Sequence, residues 1–228
     1  VSSIELRVFS EIARESLIRL IPYCDEFSQA DAVAGDGDLG LNVHRAVTAL
    51  LKPETPEAVS SNTTGISNVQ DFRNWFLLVG DTINESAPSS FMTLVSKGLK
   101  KIGRQLPESD NLDTAILIQA VAVGVEYIGK VADAKVGDKT LMDALVPAVA
   151  CLQQDATSVP EKALAVTLSD AAAKARKGAD STASMPSKKG RARWNPEKTI
   201  GHVDAGALVI ARLFEVLRDI AGANTNRG

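Results

Sequence analysis

The chain has 228 residues, 45% of them hydrophobic, enough to fill a sizeable core and to exclude global disorder. Its 25 Lys and Arg against 28 Asp and Glu give a formal net charge of −3, which excludes an overall field that would draw in nucleic acid, so any bound anion must be held locally. Aromatic residues make up 4%, which tilts the class away from sandwiches and strand barrels, whose packing leans on Tyr, Phe and Trp, and towards all-α.

The opening stretch, Val1-Ser2-Ser3-Ile4-Glu5, lacks the basic and then apolar pattern of a signal peptide. Ile4, Val8, Ile12, Leu17 and Leu20 then form a stripe at helical spacing. Helices are predicted around residues 41–51, 68–82 and 89–103, and Leu112, Ile116, Ala120, Val123 and Ile128 carry the next stripe. Residues 139–153, 160–177 and 203–221 complete about eight helices. Turn chemistry marks the joins: two prolines and a Ser/Asn/Thr cluster from Lys52 to Gly65, Pro107 between Leu106 and Asn111, and Val136-Gly137-Asp138. With no linker-like composition shift and no fixed-period repeat, one all-α domain over 1–228 is the simplest account. The stretch from Gly178 to Gly201 reads as a long basic loop, with Lys188, Lys189, Arg191, Arg193 and Lys198 and Glu197 as its nearby acid, and loops of that length tend to be functional or mobile. The longest apolar run, Ala115 to Val125, is interrupted by Gln119 and falls short of the roughly 20 residues that span a membrane. Cys24 and Cys151 belong to no zinc-like spacing and read as core thiols. A cytoplasmic protein with neither membrane nor nucleic acid as partner is the expectation.

The sharpest local feature is Asp31-Ala-Val-Ala-Gly35-Asp36-Gly37-Asp38-Leu39-Gly40, running into the helix near Leu41. Asp31, Asp36 and Asp38 repel one another, and the glycines on both sides of Asp36 let the backbone turn them towards one point. A hard divalent cation resolves that repulsion, and Mg²⁺ suits it best, held by a few carboxylates while phosphates and water complete its octahedron. Gly35-x-Gly37-x-x-Gly40 matches the letters of a dinucleotide fingerprint, but its aspartates would repel a bare pyrophosphate. An EF-hand counted from Asp36 would put Val47 where a carboxylate is required. The bland alternative is an Asp/Gly turn that caps a helix through Asp38.

Three further constellations stand out. Gly137-Asp138-Lys139-Thr140-Leu141-Met142-Asp143 reads as a turn and helix start, with Asp138 as N-cap. Ser86-Ala87-Pro88-Ser89-Ser90 puts hydroxyls and free N–H groups at a helix N-terminus, able to receive a phosphate or simply to cap. Gly190-Arg191-Ala192-Arg193-Trp194, followed by Gly201-His202-Val203-Asp204-Ala205-Gly206, offers a guanidinium for phosphate and an indole for stacking, or else a solvated charged loop. His44 and His202 have no metal partner at ligand spacing and read as structural.

In combination and in this order, the motifs resemble the L subunit of dihydroxyacetone kinase, related to the C-terminal domain of the single-chain kinases, over about Asp31 to Gly206. That resemblance implies an antiparallel barrel of eight helices with ADP or ATP at one end. It implies that Asp31, Asp36 and Asp38 hold two Mg²⁺ ions. Nucleotide contacts are implied at Leu39, Gly40, Leu41 and Asn42, at Pro88 and Ser89, at Leu141 beside the base, at Arg191, and at Asp204, Ala205 and Gly206. Phosphoryl transfer to dihydroxyacetone is implied only together with a separate K subunit carrying the substrate-anchoring histidine, the nucleotide being either exchangeable ATP or a retained ADP rephosphorylated by a phosphocarrier protein. A nucleotide-binding regulator, or a kinase subunit for a related keto-sugar such as erythrulose, are the alternatives. The chain departs from the family at Leu39, usually His, at Ser86 to Ser90, usually Gly-rich, at Trp194, and at Ala205, usually Pro.

Overall fold

Apolar residues recurring every three or four positions can bury one face only as helices, and among the residues described in this computed structural model (4, 6–52, 69–108, 112–158 and 164–225) there is no strand. The helices are α1 (Leu6–Leu20), α2 (Cys24–Ala32), α3 (Leu39–Leu50), α4 (Val69–Ser86), α5 (Ser90–Gln105), α6 (Thr114–Ala132), α7 (Met142–Ser158), α8 (Leu164–Ser181) and α9 (Ala205–Thr225). Helix α1 passes into α2 through a 3-10 turn at Ile21–Tyr23 with Pro22 near its start, so the two form one bent helix and the expected eight are present. Most of the join expected between Lys52 and Gly65, residues 109–111, and the first residues of the helices expected from 68 and 160 lie outside the described residues.

Helix α2 escaped the sequence reading because it is short and polar, with Phe27 as its one buried residue. Helix α6 is longer than its apolar run suggested: at 19 residues it is, by length and composition, apolar enough to cross a membrane. Here it lies between α5 and α7, burying Ala120, Gly124, Val125 and Ile128. Two local expectations need correction. Asp138 is not the N-cap of α7. Its carboxylate accepts the Lys135 N–H within the preceding turn (3.1 Å), while Asp143 reaches back from the first turn to accept the N–H groups of Gly137 (2.6 Å) and Thr140 (2.8 Å). The basic segment also starts later than predicted, since Gly178 to Ser181 belong to α8, and residues 182–199 carry three 3-10 turns.

Each helix from α2 to α9 packs on the next, and α9 returns to α1 and α2, so the ring closes into an antiparallel barrel. Charge pairs tie that seam: Arg212 on α9 holds Glu26 on α2 (2.8 and 3.0 Å) and Glu215 (2.9 Å), and Glu215 accepts Arg176 of α8 (2.7 Å). The few aromatics are concentrated on one side, where Phe9 packs edge-on against Phe72 and Trp75 at centroid distances of 5.6 and 5.0 Å. The other side packs through alanines, with Ala144, Ala148, Ala171, Ala175, Ala207 and Ala211 fully buried between α7, α8 and α9. Small side chains there let the helices approach closely, which is how a core with so few aromatics still fills. Cys24 and Cys151 are not disulfide-bonded and are partly buried.

Candidate functional site

Three long-range contacts bring four connections to one end of the barrel. Arg191, between α8 and α9, pairs with Asp36, between α2 and α3. Lys139, between α6 and α7, donates to the carbonyls of Thr182 and His202. Phe91, in the first turn of α5, lies against Gly206 at the start of α9, where a Cβ would stand 3.2 Å from the ring. All the predicted site residues lie in these four connections, in the helix turn leading into one of them or in the first turns that follow, so the N-termini of α3, α5, α7 and α9 face a common end. Their first-turn N–H groups and aligned dipoles make that end suited to anions.

At the α2–α3 turn, Asp31 lies in the last turn of α2 and its carboxylate accepts the Gly37 N–H (2.9 Å), while its carbonyl accepts Gly35 (2.6 Å) and Ala34 (3.1 Å). Gly37 takes a φ of 74°, which an L side chain rarely adopts. Gly40, one turn on, is where α3 crosses α2: a Cβ there would collide with the Cys24 carbonyl oxygen. Sequence and packing thus fold the three carboxylates inward, and one oxygen of each of Asp31, Asp36 and Asp38 lies within 4.8 Å of the others. Burial pushes the Asp31 carboxyl above its ordinary range; the Gly37 N–H opposes this, and the Asp36 and Asp38 charges add to it. Asp36 shifts the other way, held down by the bidentate Arg191 guanidinium, whose second bond measures 2.9 Å. Three hard oxygen donors, crowded and answered only in part by one exposed arginine, are a donor set that fits a hard divalent cation.

The remaining predicted residues divide by burial. Leu41 (48% exposed) and Pro88 face outward, and Ser89 caps α5 by accepting the Met92 N–H (3.2 Å). Leu39, Asn42, Leu141 and Ala205 are buried. The Leu39 side chain, where the resembled family has His, belongs to the aromatic-side core, leaving its backbone to the turn. Leu141 lies in the alanine-rich core, with Phe91 and Val203 packed against the same cluster. Asp204 caps α9, accepting the Ala207 N–H (2.8 Å), and its own N–H donates to the Thr182 hydroxyl (2.8 Å). Burial pushes the Asp204 carboxyl up to about 7. Trp194 is 75% exposed beneath the Arg193 guanidinium, 4.8 Å from the ring centroid. A groove of about 1050 Å³ between α6 and α7, reaching Asp138 and Lys188, contains none of the predicted site residues.

The residue that sequence reasoning passed over is Lys139. It is buried, with a φ of 60°, and four carbonyl oxygens surround its ammonium, those of Thr182, Met185, Thr199 and His202 at 2.6 to 3.0 Å. The basic segment is thereby anchored, with further bonds from the Lys188 ammonium to the Gly137 carbonyl (2.7 Å) and from Lys189 to Asp133 (2.7 Å). The one available signal was a lysine set between a tight turn and an apolar helix start.

An all-α barrel with a metal-competent acidic turn at the end where helix N-termini gather defines the class, and the chain belongs to the DAK2 domain family, whose match covers residues 33–219. Among its relatives, the ADP-binding subunit DhaL of the PTS-dependent dihydroxyacetone kinase of Lactococcus lactis is 30% identical over 85% of this chain and 86% of its own length. The L-erythrulose 1-kinase of Mycolicibacterium smegmatis is 30% identical over 84% of this chain, which spans 32% of that longer protein. The fold is similar to that of the dihydroxyacetone kinase of C. freundii solved with AMP-PNP and Mg²⁺, with a TM-score of 0.70 at 21% identity, covering 96% of this chain and 35% of that one.

Proposed function

We propose that this chain is the Mg²⁺- and nucleotide-binding module of a dihydroxyacetone-type kinase, passing a phosphoryl group from ATP, or from a retained and rephosphorylated ADP, to dihydroxyacetone held on a separate K subunit. The convergence of Asp31, Asp36 and Asp38 within 4.8 Å carries this reading. Those carboxylates would hold two Mg²⁺ ions, which supply charge neutralisation for the phosphates. The chain's own groups do the rest. Leu39 to Asn42 at the start of α3 would supply backbone and side-chain contacts to the nucleotide, and the N–H groups behind Pro88 and Ser89 would bind phosphate oxygens. Arg191, exposed and paired with Asp36, is placed to exchange that carboxylate for a phosphate. Leu141 would give the base an apolar contact, and Asp204 to Gly206, at the start of α9, would form the last nucleotide-contacting segment. Catalysis is then mostly positioning and electrostatics.

The reading is tested by mixing the protein with a K subunit and, where one is required, a phosphocarrier protein, then following phosphorylation of dihydroxyacetone. Turnover that needs both proteins is expected. Nucleotide binding without turnover on any keto-sugar would leave a regulator instead. Erythrulose joins the substrate panel because the erythrulose kinases of M. smegmatis and Pectobacterium atrosepticum are relatives at 30% and 29% identity, though this chain spans 32% of each.

A further inference from the structure

A lysine ammonium has three N–H bonds, yet four backbone carbonyls converge on that of Lys139. A ring of carbonyl oxygens around one positive charge is the way proteins replace the hydration shell of potassium. The four come from both ends of the segment that presents Arg191: Thr182 and Met185 before it, Thr199 and His202 after it. The backbone around these carbonyls is held from outside as well. The Thr182 hydroxyl donates to the Ala179 carbonyl (2.6 Å), that of Thr199 to the Pro196 carbonyl (2.6 Å), and the Gly201 N–H to the Ala183 carbonyl (2.7 Å). Lys139 reaches them from a positive φ, a conformation that favours glycine and is unusual for a lysine.

We propose that Lys139 acts as a built-in monovalent cation: its ammonium fills a four-carbonyl cage that fixes residues 182–202, and a potassium or ammonium ion can take its place once the side chain is removed. Lys139 is then a positioning residue, acting on the nucleotide through Arg191 and Asp204, a consequence that rests on the nucleotide reading above.

Lys139→Gly opens the cage and suits the backbone; Lys139→Met fills the side-chain path without charge. Each protein is compared with the unaltered chain in choline, potassium and ammonium chlorides at equal ionic strength, reading amide hydrogen exchange of residues 182–202 and affinity for Mg-ADP. In choline, exchange in Lys139→Gly is expected to be at least about 10-fold faster than in the unaltered chain, and potassium or ammonium to return it to within about 3-fold. Lys139→Met is expected to stay fast in every salt. If Lys139→Gly unfolds in choline, potassium is expected to refold it. Unchanged exchange in choline, or exchange or unfolding that neither ion reverses, would overturn the cage. Exchange restored without restored Mg-ADP affinity would overturn the positioning role. The exchange arm uses no nucleotide, so failure of the unaltered chain to bind Mg-ADP would strike the functional reading and leave the cage standing.

Discussion

Two clusters of charge sit at the same end of the barrel and are handled in opposite ways. At the α2–α3 turn, three carboxylates are drawn together with one exposed arginine as counter-charge, and burial with mutual repulsion pushes Asp31 up. At the α6–α7 turn, Lys139 is enclosed by four carbonyls and Asp143 by two backbone N–H groups. Charge left partly unanswered at a surface is stored affinity for a ligand, whereas charge satisfied inside a fold sets the shape of the segments around it. The basic segment joins them, fixed at both ends by the satisfied cluster and offering Arg191 to the unsatisfied one.

That contrast can be broken first on its structural side. Lys139→Met removes the charged donor shared by four carbonyls, those of Thr182 and Thr199 in buried residues, and is expected to cost about 4 kcal/mol of stability in urea unfolding. Gly40→Ala, which drives a Cβ into the Cys24 carbonyl, is expected to cost about 3 kcal/mol and to weaken Mg²⁺-dependent nucleotide binding as the acidic turn shifts. On the ligand side the stability cost nearly vanishes. Asp36→Asn is expected to weaken Mg-ADP binding at least about 100-fold while leaving the melting temperature unchanged or slightly lower, since the Arg191 pair it loses is exposed.

Asp204 lies between the two regimes. Its carboxyl, pushed up to about 7 by burial, keeps a proton in the folded chain where the unfolded chain has already lost it. Its stabilising effect is therefore fully present below the ordinary carboxylate range and is lost as pH rises through about 7. Between about pH 5 and about pH 8 the unaltered chain is expected to lose about 2 kcal/mol more stability than Asp204→Asn. Smallest is Arg191→Ala: about tenfold weaker nucleotide binding by calorimetry, with a stability change under about 0.5 kcal/mol because the pair is exposed.

What the sequence disclosed follows the same division. The acidic turn was legible because Asp31, Asp36 and Asp38 are close in sequence and the glycines that bend them are beside them. The long helices were legible from their 3.6-residue period, while α2 was not, having Phe27 alone to mark its buried face. The Lys139 cage was invisible because its acceptors are backbone carbonyls, which any residue supplies, from positions 43 to 63 residues away. The Arg191–Asp36 pair spans 155 residues and needed the closed barrel to bring its halves together. The N-cap expectation for Asp138 failed because Asp143, further into the helix, captured the N–H groups of the turn.

The central claim, that the acidic turn is a metal-dependent nucleotide site, is tested most directly by calorimetric titration of ADP into the unaltered protein with Mg²⁺ and with a chelator, alongside Asp36→Asn. Saturable binding that needs Mg²⁺ and collapses in the variant is the expected result. Equal ADP binding with and without Mg²⁺, or none at all in the unaltered protein, would contradict it.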